Sequence, residues 1–276
     1  MRPGDRIVTA MATCPTPVGD HLRKWRQLRR RSQMDLALDA DISTRHLSFI
    51  ETGRAQPSRG MVLHLAKQLD VPLRERNFML LAAGFAPAFA GRALDDPALA
   101  AARRAVDLIL TAHEPAPALA VDLSWNLVAA NRAVAPLLEG VAASLLGPNA
   151  NVLKIALHPD GMAPRIVNFA EWRAHLLDDL RRQIEITADS ALMDLQDELR
   201  SYPTPRASDP RPDDLGGVTV PLQLRHGDRV LSFLSTRTVF GTAVDITLAE
   251  LTLETFFPAD TATAQALHVL ASENSA

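Results

Sequence analysis

The stretch Gln33-Met-Asp-Leu-Ala-Leu-Asp-Ala-Asp-Ile-Ser-Thr-Arg-His-Leu-Ser-Phe-Ile-Glu-Thr-Gly53 decides how the chain begins to fold. Leu36, Ala37 and Ala40 recur at helical spacing, and after a break Leu47 and Ile50 do so again. Ser32 stands where an N-cap would open the first of these helices, and Ser43 where one would open the second. Asp41 and Ile42 are left for the turn, and Gly53 supplies a left-handed stop. Two short amphipathic helices joined by so tight a turn have a specific physical use. The first can brace against a DNA backbone while the second lays its opening residues into the major groove.

Working outward, three more helices flank the pair. One runs from about Gly19 to Arg30, with Leu22, Trp25 and Leu28 inward and Arg23, Lys24 and Arg30 outward. Pro57-Ser58 opens another, carrying Val62, Leu65 and Leu69 and closed by Asp70-Val71-Pro72. A last one, from Leu73 to about Ala83, offers Phe78 and Leu81 to the core and stops at Gly84. The spacing therefore predicts an all-α five-helix domain over residues 19–84, after a flexible, proline-bearing segment 1–18. Pro and Gly recur too closely for a helix just beyond, so residues 85–97 read as a linker.

The charge distribution supports the same division. The whole chain carries only -3, but residues 19–83 hold 12 Lys/Arg against 7 Asp/Glu, and residues 84–276 hold 15 against 24. A basic front on an acidic body is expected when only one end meets phosphate. A hydrophobic share of 47% excludes a largely disordered chain. Cys14 stands alone, which excludes an intrachain disulfide or a cysteine-based zinc site, and no apolar run approaches a membrane span. The expectation is a soluble, cytoplasmic protein with no membrane contact.

Beyond the linker the grammar changes. Leu99 to Thr111 is helical, Leu119 to Val128 alternates like a strand around a turn at Asp122–Asn126, and Asn131 to Leu138 returns to helix. Residues 164–200 are mostly helical. Val218, Val220, Leu222 and Leu224 alternate, His226-Gly227-Asp228 makes a hairpin turn, Val230 to Phe240 pairs back, and Leu251 to Phe257 forms a further strand. The phase shift between Leu248 and Leu251 predicts a loop or bulge. Residues 98–270 thus read as an α+β domain, an antiparallel sheet with flanking helices, followed by a tail at 271–276.

Candidate contacts follow from residue chemistry. Gln33, Arg54, Arg59 and the free N–H groups opening the helix suit phosphates. After Ser43, the outward Thr44, Arg45 and Ser48 suit base edges, and Arg45 could grip guanine O6 and N7 for about 1–3 kcal/mol of discrimination. His46 is either a phosphate contact or a packed or merely solvated histidine. A small helical bundle with a basic surface is the plainer alternative. In the second domain Trp125, Phe169, Trp172, Phe233 and Phe240 are pocket candidates or ordinary core. Asn131 either caps the helix that follows it or touches a ligand. His158, Asp160, His175 and Asp179 invite a metal reading. The His-Pro-Asp-Gly turn and the lack of a nucleophile or open-site signature argue against a metal and against an enzyme. No catalytic residue, metal or cofactor is expected beyond a bound apolar molecule.

The residues Ser-Gln-Met-Asp-Leu-Ala, Ser-Thr-Arg-His-Leu-Ser-Phe-Ile-Glu-Thr-Gly-Arg and Pro57-Ser58 resemble the Cro/repressor (xenobiotic response element, XRE) helix-turn-helix family. That resemblance implies a structural pair between Glu51 and Arg26 and a double-stranded operator as partner. Asp41 departs from the family's glycine in the turn, which asks a non-glycine to take a left-handed backbone. The resemblance continues to about residue 270. Asp122-Leu-Ser-Trp-Asn126 through Asn131, His158-Pro-Asp-Gly161, Asn168-Phe-Ala-Glu-Trp172 and Phe240-Gly-Thr242 resemble the ligand-binding domain of MmyB-like transcription regulators. It implies a PAS-like fold and a small, largely apolar ligand such as a fatty acid. The reading is a ligand-responsive regulator of transcription acting as a homodimer on two half-sites. The alternative keeps DNA binding but gives the second domain only dimerisation or protein interaction.

Overall fold

The computed structural model describes residues 16–92, 96–205, 220–240 and 245–273. Expectations falling on residues 1–15, Val218, Gly241-Thr242 and 274–276 lie outside the described residues. The chain divides into two compact units, Met1–Ala90 and Gly91–Ala276.

The first unit holds α1 (Val18–Leu28), α2 (Gln33–Asp39), α3 (Thr44–Glu51), α4 (Arg59–Gln68) and α5 (Leu73–Ala82). Side-chain caps set three of the starts. Ser32 Oγ accepts from the Asp35 N–H at 3.1 Å while the Asp35 carboxylate accepts from the Ser32 N–H at 3.0 Å. Ser43 Oγ takes the His46 N–H at 3.1 Å, and Ser58 Oγ the Met61 N–H at 3.2 Å. Each such cap contributes about 1 kcal/mol. Asp41 takes the left-handed turn at φ +51°, and the Ile42 N–H closes α2 on the Ala37 carbonyl at 2.9 Å. Leu22, Trp25, Leu36, Leu47, Ile50 and Leu65 form the buried centre. Gly19 lets α1 touch α3: a Cβ there would lie 2.6 Å from the Ile50 carbonyl oxygen.

Three expectations for this unit need correction. The first helix ends at Leu28 rather than Arg30, because Arg30 turns left-handed at φ +53°. Arg23 is outward only in part: its side chain is 41% exposed, but its guanidinium donates to the Glu51 carbonyl at 3.1 Å. Phe78 and Leu81 are 48% and 53% exposed, and Met79 and Leu80 are buried instead. The run Phe-Met-Leu-Leu-Ala is apolar at every position, so periodicity cannot choose its inward face and the docking of α5 decides. The start of the expected linker is also fastened down. Asn77 Oδ1 accepts the Ala88 and Phe89 N–H groups at 2.9 and 3.1 Å, and its amide nitrogen donates to the Phe89 carbonyl at 2.7 Å.

The second unit combines α6 (Ala100–Ala112), β1 (Ala118–Val121), β2 (Leu127–Ala130), α7 (Val152–Leu157), α8 (Phe169–Thr187) and α9 (Ser190–Ser201) with β3 (Leu222–His226), β4 (Arg229–Val239), α10 (Ile246–Ala249), β5 (Thr252–Pro258) and α11 (Thr261–Glu273). Its strands form one antiparallel sheet in the order β2-β1-β5-β4-β3. On one face α6 packs Val106 and Leu110 against Ala118, Ala120, Leu251 and Leu253. The opposite face carries the larger core, where α7, α8, α9 and α11 meet Leu119, Leu224, Leu231 and Phe233. This is the expected α+β architecture.

Local chemistry explains the turn between β1 and β2. Asp122 Oδ1 accepts the Ser124 and Asn126 N–H groups at 2.9 and 2.8 Å, and Trp125 is held at φ +67°. Three predicted details differ. The segment after Asn131 is a 3-10 helix, Arg132–Leu138, with Pro136 inside it and unable to donate an α-helical bond. The stretch 164–200 is mostly helical as expected, in two helices parted where Ala188 turns left-handed at φ +52°. The phase shift near Leu248 is the short helix α10, opened by Asp245, whose carboxylate accepts the Thr247 N–H at 2.9 Å. At the start of β3, Leu222, Gln223 and Leu224 are all buried, so its two faces are not divided into core and solvent. Among the described residues no helix is long and apolar enough to cross a membrane.

Candidate functional site

In the first unit the capped start of α3 stands at the surface. Ser43, Thr44, Arg45 and His46 are exposed, as are Arg54 and Arg59, while Ser48 and Gln33 are half-buried. Capping by Ser43 fixes the first turn, so its side chains project from a set frame. Phe49, which the sequence reading passed over, lies between two of the cations. The Arg45 and Arg54 guanidinium carbons sit 5.2 and 6.0 Å from its ring centroid. The signal was available in the i, i+4 spacing of Arg45 and Phe49.

A buried ionic joint holds α3 at this angle. Glu51, 2% exposed, accepts Arg26 Nε at 2.7 Å and Arg26 Nη2 at 2.9 Å in a two-pronged pair. Gln33 Nε2 donates to the same carboxylate at 2.8 Å. Burial alone would push the Glu51 carboxyl up. The hydrogen bonds from Arg26 and Gln33, with the charges of Arg26 and Arg23, outweigh it and hold the group below its ordinary range. Gln33 therefore ties the start of α2 to the end of α3 through its side-chain amide.

In the second unit an apolar cavity of about 90 Å³ lies between the sheet and its covering helices. Leu119, Val134, Leu153, Trp172, Phe233 and Phe256 are among its walls, and among the described residues Glu254 is the one ionisable residue lining it. Of the six predicted pocket residues, the cavity brings together Trp172 and Phe233. Trp125 and Phe169 belong to the same core but not to the cavity wall. The Trp125 indole N–H donates to Gln183 Oε1 at 2.7 Å. Phe240 packs on the opposite face of the sheet, with the cluster around Val106. Asn131 makes no cap bond; its buried amide donates to the Leu110 and Ala116 carbonyls at 3.1 and 2.8 Å and accepts the Ala118 N–H at 3.1 Å. It is a clamp between α6 and β1, not a pocket group.

Glu254 was missed because a single carboxylate in an apolar strand has no sequence signature. It sits on the central strand β5 beside Arg237 on β4, with 3.9 Å from Arg237 Nε to its carboxylate. Arg237 lies 4.5 Å over the Trp125 ring and pairs with Asp179 at 2.9 Å. Burial pushes the Glu254 carboxyl up, against the lowering effect of Arg237 and with a small addition from Asp179. His175 contacts Asp179 at 3.4 Å within α8, and His158 accepts the Asp160 N–H within its turn at 3.0 Å. Gly161 closes that turn against Ile155, whose carbonyl oxygen would be 2.2 Å from a Cβ there. Both histidines are thus bound up in local contacts, and among the described residues no three His, Cys, Asp or Glu side chains converge.

Comparison with known families agrees with both halves. Residues 17–79 match a helix-turn-helix domain. Residues 102–270 match the MmyB-like transcription regulator ligand binding domain. No curated protein matches the chain. With well over half its length inside the second of these matches, the chain belongs to the MmyB-like transcription regulators, DNA-binding proteins that carry a ligand-binding domain behind a helix-turn-helix.

Proposed function

We propose that the protein binds a specific operator through α3 and changes that binding when a small, largely apolar molecule occupies the second unit. The observation that carries the first half is the exposed, Ser43-capped turn of α3, with Arg45 and Arg54 braced on Phe49 and Glu51 locking the helix behind them. Thr44, Arg45 and Ser48 read base edges; Gln33, Arg54 and Arg59, with the free N–H groups opening α2, hold phosphates, and His46 lies beside them. A homodimer would place two such helices on half-sites one helical turn apart. The protein then works in the cytoplasm, in contact with DNA and with no membrane.

The cavity supports the second half, and a fatty acid is the ligand class the family resemblance implies. Its modest volume also favours a second reading, in which the second unit serves only dimerisation or protein interaction. Any ligand-driven switch requires unequal affinity for the DNA-competent and DNA-incompetent states. Operator fragments from the protein's own promoter region, titrated at several salt concentrations with and without fatty acids, test both halves. Salt-sensitive, sequence-selective binding altered by a fatty acid is the expected result. Binding that no apolar molecule alters, together with native mass spectra showing no bound small molecule, would favour the second reading. Absence of salt-sensitive binding to any fragment would remove the first half as well.

A further inference from the structure

The first unit uses its arginines in two ways. Arg23, Arg26 and Arg31 spend guanidinium N–H groups on oxygens of the protein. Arg45 and Arg54 do not. Among the described residues neither side chain makes a hydrogen bond or an ion pair, and each guanidinium instead meets the ring of Phe49, at 5.2 and 6.0 Å. That ring has no part in the core. Leu47 and Ile50 beside it in α3 are buried, whereas Phe49 is half-buried and stands outside the cluster that fills the unit. The backbone brings both cations to the ring. Arg45 lies one turn earlier on α3. Gly53 turns the chain at φ +71°, and the Arg54 and Ala55 N–H groups both donate to the Phe49 carbonyl, at 2.8 and 3.1 Å. An aromatic face holds a guanidinium without consuming its N–H donors, so the edge that would meet a base stays free. Restraint of this kind bears on selectivity. A long side chain that must be ordered on binding loses affinity, and one free to swing can exchange a missing guanine for a nearby phosphate.

We propose that Phe49 is a positioning residue for base recognition: its ring holds Arg45 at the exposed turn of α3, so that the guanidinium meets a base edge rather than a phosphate. The proposal rests on the operator-reading function and gives Phe49, which itself touches no nucleotide, a share of the selectivity at the base pair under Arg45. Ordering one such side chain in advance is worth roughly three- to tenfold in affinity. Arg54 is held by the same ring, but the phosphate it meets is alike in every sequence. Its loosening therefore changes all affinities by one factor, which cancels in a ratio between two duplexes.

Selection by the full-length protein from duplexes randomised over about 20 bp, enough for two half-sites one helical turn apart, yields the sequence it prefers. Arg45→Ala then identifies the base pair whose preference it relaxes. Affinities are measured on the selected duplex and on a duplex changed at that base pair alone. Phe49→Leu should lower the ratio of the two affinities roughly three- to tenfold while leaving the slope of log affinity against log salt unchanged. Phe49→Met, a second non-aromatic replacement, should do the same. Phe49→Tyr, which keeps a ring for the cation, should hold the ratio within about twofold of wild type. In an Arg45→Ala background, Phe49→Leu should change the ratio no further. A ratio left intact by both non-aromatic variants, or lowered as much by Phe49→Tyr, overturns the proposal while operator reading stands, and so does a loss equal on both duplexes. If Arg45→Ala relaxes no base pair, Arg45 is not a base contact and the proposal falls with that role. If the pool yields no preferred sequence, operator reading itself fails.

Discussion

Replacing Glu51 with Gln removes the one charge that α1, α2 and α3 share. The wild-type carboxylate is buried, takes both prongs of Arg26 at 2.7 and 2.9 Å and receives Gln33 at 2.8 Å. The Arg26 side chain is itself only 11% exposed, so Glu51→Gln leaves a largely buried guanidinium without its counter-charge. Breaking a buried pair from one side costs about 3–5 kcal/mol. The amide still accepts one hydrogen bond, which places the expected loss near the lower end, about 3 kcal/mol. A domain of this size unfolds with about 4–11 kcal/mol, and the loss corresponds to a fall of roughly 12–24 °C in its Tm. Denaturant titration of the full-length variant, with hydrogen exchange read on peptides spanning α1 and α3, assigns the loss to the first unit. The acid limb gives an independent check. The Glu51 carboxyl is lowered in the fold from its ordinary 4.5, so its contribution is complete above that value and is lost as pH falls through the lower folded value. Glu51→Gln should lack that component of the acid transition. A loss below about 1 kcal/mol, or a coupling to Arg26→Gln below about 1 kcal/mol in a double-mutant cycle, would refute the joint as the support of α3.

Three further outcomes follow from particular contacts. Arg45→Ala should relax selectivity at one operator base pair by about 1–3 kcal/mol, whereas Arg54→Ala should weaken all sequences alike and lower the slope of log affinity against log salt by about 1. Equal losses on every sequence for both variants would show the roles to be misassigned. Asn131→Leu should cost about 2–4 kcal/mol in denaturant titration, since it strands the Leu110 and Ala116 carbonyls and the Ala118 N–H, yet should leave affinity for cavity probes within about twofold. A stable variant with altered probe affinity would place Asn131 at the ligand after all. Asp41→Gly relieves a non-glycine residue held at φ +51° and should raise the first unit's stability by up to about 1 kcal/mol, read as a higher denaturant midpoint with operator affinity unchanged.

The helix pair was legible because each of its boundaries is written in local chemistry. Ser32, Ser43 and Ser58 each bond a backbone N–H three residues ahead, so their meaning travels with the chain and needs no partner from afar. The same holds for the Asp122–Asn126 turn and for the hairpin at Gly227, which takes φ +56°. Where a stretch was apolar at every position, as from Phe78 to Ala82, local pattern had nothing to choose with, and the face turned inward was decided by the surface on which α5 docks.

The sequence by itself determined the helix pair with its serine caps, the split into a basic helical front and an α+β body, and the exposed turn after Ser43. Only the tertiary structure decided which aromatics share a cavity. Trp172 and Phe233 are 61 residues apart and meet there, while Phe240, seven residues from Phe233, lies on the far side of the same sheet. It also decided that Asn131 is a clamp and that Glu254 faces an apolar space beside Arg237. The physical reason is range. Caps and turns are bonds within a few residues, whereas a cavity and the environment of a buried charge are made by segments that only packing brings together.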